Sequence, residues 1–230
     1  MSTRSADPAI TPLRVAVLVS GSGSNLQILI DAMQAEALPI DIVGVISNRE
    51  DAYAVTRAKA ADIPVAVLSH VASGKRMGIK TFETHAKDQL TAWQPDVIVL
   101  AGFMRVLSAS FINTVPAPMI NLHPSLLPAY KGLNTHVRVL QSGERYHGCS
   151  VHKVTAELDA GQVLTQAVLN VRHSDTTESL KTRVQKLEHK LLPWTILMIA
   201  KDMLPLDHSG SSSEAGTYLP SLPLQLFMTS

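Results

Sequence analysis

The chain has 230 residues, with 20 Lys plus Arg against 19 Asp plus Glu, a net charge of +1. Apolar residues make up 46% and charged residues 17%, which excludes wholesale disorder and allows a sizeable core. The near-neutral balance argues against a duplex-binding protein, although a local loop can still hold a small anion. Cys149 is the single cysteine, so no intrachain disulfide forms, as expected of a reducing compartment. No run approaches the roughly 18 apolar residues of a membrane helix, and residues 1–12 lack an apolar stretch of signal-peptide length. The expectation is a cytoplasmic chain without a membrane or nucleic-acid partner.

Residues 1–13 read as a mobile tail, 14–203 as one domain, and 204–230 as a loop with a weak edge strand. The first predicted strand, 14–19, stops at Ser20-Gly21-Ser22-Gly23-Ser24-Asn25, and an apolar stripe then marks a helix to about Ala37. A strand at 40–46, a helix at 51–61 with Asp51 as its N-cap and a short strand at 64–68 follow. A looser stretch, 69–78, leads into a helix ending near Trp93 and a buried strand at 97–100. This alternation predicts a parallel sheet with helices on both faces. Further on, 117–122 is a short strand running into His123-Pro124, 125–132 is too proline-rich for a helix, and 134–142 is helical. Strands at 147–155 and 162–171 form an antiparallel hairpin, and 175–201 is a long helix bent or divided at Pro193.

The glycine loop follows a strand and opens a helix, so its free amides can face a phosphate. The dinucleotide version fits poorly, because Leu26 stands where a third glycine belongs and Ser47-Asn48-Arg49 offers no ribose-binding acid. No triphosphate-binding lysine motif is present, so ATP is not expected. A plain tight turn is the alternative.

Asn121 and His123 alternate along a strand, share a face, and lie at its carboxyl end, where open α/β sheets bind ligands. An amide beside an imidazole suits a reaction that develops an oxyanion. A carboxylate would orient the ring and favour its charged form, and Asp159, in the turn Leu158-Asp159-Ala160-Gly161, is the best candidate. The alternative is a capping asparagine and a packed histidine. Ser125 with His123 and Asp159 makes a poor hydrolase triad, lacking a nucleophile elbow. His147, Cys149 and His152 match no standard zinc spacing, so no metal is expected. Gly102 to Leu107 offers either an apolar ligand wall with a cation or core filler.

These motifs occur together in one family. The Ser-Gly-Ser-Gly-Ser-Asn run, Leu-Ala-Gly-Phe-Met-Arg at 100–105, Asn-Leu-His-Pro-Ser-Leu-Leu-Pro at 121–128 and His-Gly-x-Ser-Val-His at 147–152 stand in family order. So do Leu-Asp-Ala-Gly at 158–161 and Gln185-x-x-Glu188-His189. Over about residues 14–200 the chain resembles the folate-dependent phosphoribosylglycinamide formyltransferases. The resemblance implies a Rossmann-like α/β formyltransferase fold, with a twisted, mostly parallel sheet, helices on both faces and an antiparallel C-terminal hairpin.

It further implies transfer of a formyl group from 10-formyltetrahydrofolate, a co-substrate, to the amine of glycinamide ribonucleotide. Asn121, His123 and Asp159 would be catalytic. Gly23, Ser24 and Asn25 would hold the ribotide phosphate, and Glu188 the ribotide, at its ribose hydroxyls. Met104, Arg105, Val106 and Leu107 match the folate wall. Thr155, Ala156, Glu157, Leu158 and Asp159 match the loop that reads the pterin, and Asn121 also faces the folate. The chain would be a monomer or homodimer.

Two positions depart from the family pattern. The arginine that meets the folate tail has no direct counterpart, Arg76 and Lys80 being the nearby cations, and Asn134 stands where relatives carry a histidine. Formyltetrahydrofolate deformylases share the catalytic three but carry an N-terminal regulatory domain, for which a first strand near Arg14 leaves no expected room. Formyltransferases of initiator methionyl-tRNA add a C-terminal RNA-binding domain and a more basic surface. A non-catalytic folate- or nucleotide-binding module is the reading from another class.

Overall fold

The computed structural model describes residues 11–69, 71–72, 75–76, 78–206 and 224–227, with 71–72, 75–76 and 224–227 as backbone alone. Its centre is an eight-stranded sheet. The strands are β1 (Leu13–Val19), β2 (Ile40–Ser47), β3 (Val65–Val67), β6 (Val97–Leu100), β7 (Met119–His123), β8 (Tyr146–Lys153), β9 (Val163–Asn170) and β10 (Leu224–Phe227). They lie in the order β10-β9-β8-β7-β6-β1-β2-β3. Pairing is parallel from β3 through β7, antiparallel at β7–β8 and β8–β9, and parallel again at β9–β10. A separate pair, β4 (Val71–Ala72) and β5 (Lys75–Arg76), is antiparallel.

Among the described residues six helices accompany the sheet: α1 (Ser24–Gln34), α2 (Tyr53–Ala60), α3 (Ile79–Trp93), α4 (Ala109–Thr114), α5 (Thr135–Gln141) and α6 (Thr177–Ala200). The continuous apolar run of β1 is explained by burial on both faces. Val15, Val17 and Val19 join one core with residues of α1, α2 and α6, whereas Ala16 and Leu18 join a second with Phe82, Ala86 and Leu90 of α3. Strand alternation divides β6 in the same way, Val97 and Val99 going to the first core and Ile98 and Leu100 to the second.

Several predicted boundaries shift. α1 ends at Gln34 because the chain turns through Glu36, which adopts a left-handed φ of 53°. Asp51 does not cap α2, whose N-cap is Ala52; its carboxylate pairs with Arg49 at 2.6 Å. β7 starts at Met119 rather than at Ala117 and includes His123. α6 is one helix of 24 residues that Pro193 does not divide. Proline there removes the bond to the carbonyl of His189, and the burial of Leu191, Leu192 and Ile196 in the main core holds the helix together. α4 was not predicted. It is capped by Ser108, whose hydroxyl accepts from the Phe111 amide at 3.1 Å. The buried Glu83 carboxylate in turn takes the Ser108 amide at 2.6 Å and its hydroxyl at 2.7 Å. The predicted tail at 1–13 falls mostly outside the described residues, as does most of 204–230.

Candidate active site

The parallel strand order reverses between β1 and β6, and ligands of open α/β sheets bind where that happens, at the carboxyl ends. A cavity of about 240 Å³ opens there, lined by residues 20–25, Ala101, Gly102, Met104 and Gln185. Ser20 ties its floor together: its hydroxyl donates to Asn48 Oδ1 at 2.6 Å and accepts from the Met104 amide at 2.8 Å. Gly23 has φ 69°, and a Cβ there would lie 2.6 Å from Ala54 Cβ, so the turn into α1 requires glycine. The first bond of α1 runs from the Gln27 amide to the Gly23 carbonyl at 2.9 Å. The amides before it have no partner within the helix, and no acidic side chain stands in the first turn to compete for an anion.

α6 closes this cavity from the far end of the chain. Gln185 Nε2 donates to Ser24 Oγ at 2.9 Å, and Asn25 Nδ2 donates to Glu188 Oε2 at 3.0 Å. Asn25 Oδ1 is buried without a hydrogen-bond partner, an acceptor ready for a ligand donor. Burial raises the Glu188 carboxyl above the ordinary glutamate range, opposed by its bond from Asn25. Arg57 of α2 braces the loop from outside, with Nε donating to the Ser22 carbonyl at 2.9 Å and Nη1 to Gln27 Oε1 at 2.8 Å.

Two strands away, the antiparallel register sets Asn121 opposite His152 and His123 opposite Ser150. His123 is 5% exposed. Its Nε2 lies 3.0 Å from the Tyr130 carbonyl and its Nδ1 3.4 Å from Asp159 Oδ2. Both ring nitrogens therefore face acceptors. Asp159 adopts φ 47°, a left-handed conformation that aspartate tolerates, and this turn aims its carboxylate inward. Gly161 makes the turn possible, because a Cβ there would meet the Lys153 carbonyl oxygen at 1.8 Å. Asp159 Oδ2 also accepts from the Gly132 amide at 2.9 Å, while Oδ1 faces His152 Nε2 at 3.6 Å. The structure thus brings Asn121, His123 and Asp159 together and adds His152, which the sequence reading had set aside as a weak metal ligand. Alternation along β8 alone does not find it, because its place opposite Asn121 is set by the β7–β8 register.

The segment after β6 divides. Met104 and Val106 are each 68% exposed and can form a ligand wall. Leu107, at 6%, belongs to the second core with Phe103 and Phe111. Arg105 turns its guanidinium over the Phe82 ring, 5.1 Å from the centroid. Thr155 to Leu158 are exposed beside Asp159, with Glu157 paired to Lys131 at 3.2 Å. The side chain of Arg76 lies outside the described residues, and Lys80 is exposed in the first turn of α3. Asn134 is the left-handed N-cap residue of α5. His147 belongs to a different place, 2.9 Å from His136 Nδ1, and burial pushes its ring down to about 4, with His136 and His123 adding to the effect. Among the described residues no cluster of His, Cys, Asp or Glu could hold a metal ion, and no helix is long and apolar enough to cross a membrane.

The profile of the formyl transferase family matches residues 13–196. The phosphoribosylglycinamide formyltransferase of Escherichia coli is 38% identical over 208 residues, covering 90% of this chain and 96% of that protein. The trifunctional purine biosynthetic protein adenosine-3 of Bos taurus is 41% identical over 197 residues; the match covers 86% of this chain but 19% of that longer protein. A solved phosphoribosylglycinamide formyltransferase from Coxiella burnetii superposes with a TM-score of 0.77 at 47% identity, covering 83% of this chain and 88% of that one. With the glycine loop, the Asn121–His123 strand end and the Asp159 turn all inside the matched span, the chain belongs to the formyl transferase family, among the phosphoribosylglycinamide formyltransferases.

Proposed function

We propose that this chain transfers the formyl group of 10-formyltetrahydrofolate to the amine of glycinamide ribonucleotide, giving formylglycinamide ribonucleotide and tetrahydrofolate. One observation carries the reading: an anion-ready loop and an Asn121–His123–Asp159 cluster open on the same edge of one sheet. The loop amides of Gly23, Ser24 and Asn25 take the ribotide phosphate. Glu188 and the free Asn25 Oδ1 accept hydrogen bonds from ribose hydroxyls. The folate lies along Met104 and Val106, with its pterin against the 155–159 loop.

The substrate amine attacks the formyl carbon, forming the new C–N bond while the carbonyl π electrons move onto oxygen. An Asn121 amide hydrogen and an N–H of His123 stabilise that oxyanion. Collapse breaks the bond to N10 of the folate, which gains a proton as the attacking nitrogen loses one. His123 Nε2 faces the Tyr130 carbonyl and Nδ1 faces Asp159, so donating to substrate requires exchanging one of these contacts. Asp159, facing Nδ1, holds the ring in its orientation. The reaction uses no metal and no ATP, and the buried free thiol of Cys149 suits a reducing cytoplasm.

The test is a spectrophotometric assay with 10-formyltetrahydrofolate, run with and without glycinamide ribonucleotide. Ribotide-dependent loss of the formyl-folate, with formylglycinamide ribonucleotide as product, is expected. Formate release without ribotide would make the chain a deformylase, and no turnover with retained folate binding would make it a binding module.

A further inference from the structure

We propose that His152 is a positioning residue of this site: a neutral imidazole protonated on Nδ1, it fixes the orientation of the Asn121 amide so that an N–H remains free for the formyl oxygen. The proposal rests on the functional reading above and adds to it a residue with no part in the bond-making steps.

The geometry settles where the protons lie. His152 Nδ1 is 2.9 Å from the carbonyl oxygen of Lys153, and a carbonyl only accepts, so Nδ1 carries the hydrogen. In the neutral ring Nε2 is then a lone pair. It lies 3.1 Å from Asn121 Nδ2, and the amide is the donor. One amide hydrogen is thereby committed to His152, and the second, on the same nitrogen, is directed away from the ring. Turning the amide over would set Oδ1 against the Nε2 lone pair, two acceptors in contact. The antiparallel register makes this pairing direct, since Asn121 and His152 are cross-strand partners.

The charged ring would undo the arrangement. An Nε2 hydrogen would face the amide donor and favour the turned-over Asn121, which presents oxygen rather than N–H. It would also draw on Asp159 Oδ1, 3.6 Å away, the carboxylate that serves His123 through its other oxygen. Two titratable groups face His152. Asp159 favours its charged form, and His123, edge-on with ring centroids 6.4 Å apart, opposes it. Burial is the largest influence and lowers the proton affinity of the ring, so the neutral form prevails at neutral pH.

The experiment compares His152→Phe and His152→Gln with the wild type in the formyl-transfer assay, and records the 15N–1H spectrum of the histidine rings in the wild type and in Asn121→Leu. His152→Phe is expected to lower kcat about 10- to 100-fold with little change in either KM, less than the roughly 10²–10³ for losing an oxyanion donor outright. His152→Gln, whose carbonyl can accept from Asn121, is expected to recover part of that loss, and the acid limb of its kcat profile should be shallower, because one inactivating protonation is gone. The spectrum should show His152 neutral with its proton on Nδ1 and an Nε2 signal that moves in Asn121→Leu. Wild-type kcat in His152→Phe overturns the proposal, as does a parallel loss of kcat and melting temperature in both variants with an unchanged pH profile. An Nε2-protonated ring overturns it too. A wild type that makes no formylated ribotide defeats the functional reading instead, and the ring spectrum still decides the tautomer.

Discussion

Asn25 and Glu188 share a hydrogen bond of 3.0 Å across 163 positions of sequence. It joins the first turn of α1 to the middle of α6 and sets a carboxylate and an amide at the mouth of the glycine loop. The bond partly offsets the cost of a partly buried glutamate: burial raises its carboxyl, so the ionised form is held at some cost in stability.

Glu188→Gln should therefore separate stability from binding. The glutamine oxygen can still accept from Asn25, while the buried charge is removed. A carboxyl whose folded value is raised stabilises the fold below its unfolded value, near 4.5, and loses that contribution as pH rises through the folded value. The variant should match the wild type in thermal melting at pH 4.5 and exceed it at pH 8. Its KM for glycinamide ribonucleotide should rise at the same time. A variant less stable than the wild type at pH 8 would contradict the burial account.

Asp159→Asn should lower kcat by about 10²–10⁴, the scale of losing a positioned acid–base partner, with the melting temperature nearly unchanged. Its Oδ1 can keep the bond from the Gly132 amide, so the turn survives while the charge facing His123 disappears. His123→Ala should lose turnover on the same scale, and near-wild-type kcat in either variant would remove these residues from the chemistry.

Arg57→Ala frees the Ser22 carbonyl and loosens the loop around Gly23. The expected effect is a rise of about 3- to 10-fold in the ribotide KM, the scale of ~1 kcal/mol for a partly exposed charged hydrogen bond. Steady-state kinetics should show kcat and the folate KM little altered. An equal effect on both substrates would point to general unfolding of the loop.

His147 predicts the acid sensitivity of the fold. Its folded ring is held down to about 4 from an ordinary 6.5, so the unfolded chain takes up a proton that the folded chain refuses. Stability should fall as pH drops from about 6.5 to 4, by about 3 kcal/mol for this one group, and level off below. His136, also lowered by burial, adds to the slope. Urea unfolding across that range should show a shallower dependence in His147→Gln, which cannot titrate.

The glycine loop and the strand end at His123 were legible because local chemistry specifies them. A turn into a helix that leaves no room for a Cβ must use glycine, and alternation along β7 puts Asn121 and His123 on one face. His152 was not legible as a partner of Asn121, because its place depends on the register between β7 and β8, which no local pattern encodes. At Pro193 the helix is not divided, since the local preference against helix is overridden by the burial of its neighbours.

By itself the sequence determined the alternation of strands and helices, the phosphate-ready turn and the residue types of an oxyanion site, because backbone preference and side-chain period act over a few residues. Only the tertiary structure decided that α6 reaches back to Asn25 and Ser24, that Asp159 stands between His123 and His152, and that His147 lies apart with His136. Those relationships arise from the packing of segments far apart in the chain, where burial and register set the distances on which hydrogen bonds and charge depend.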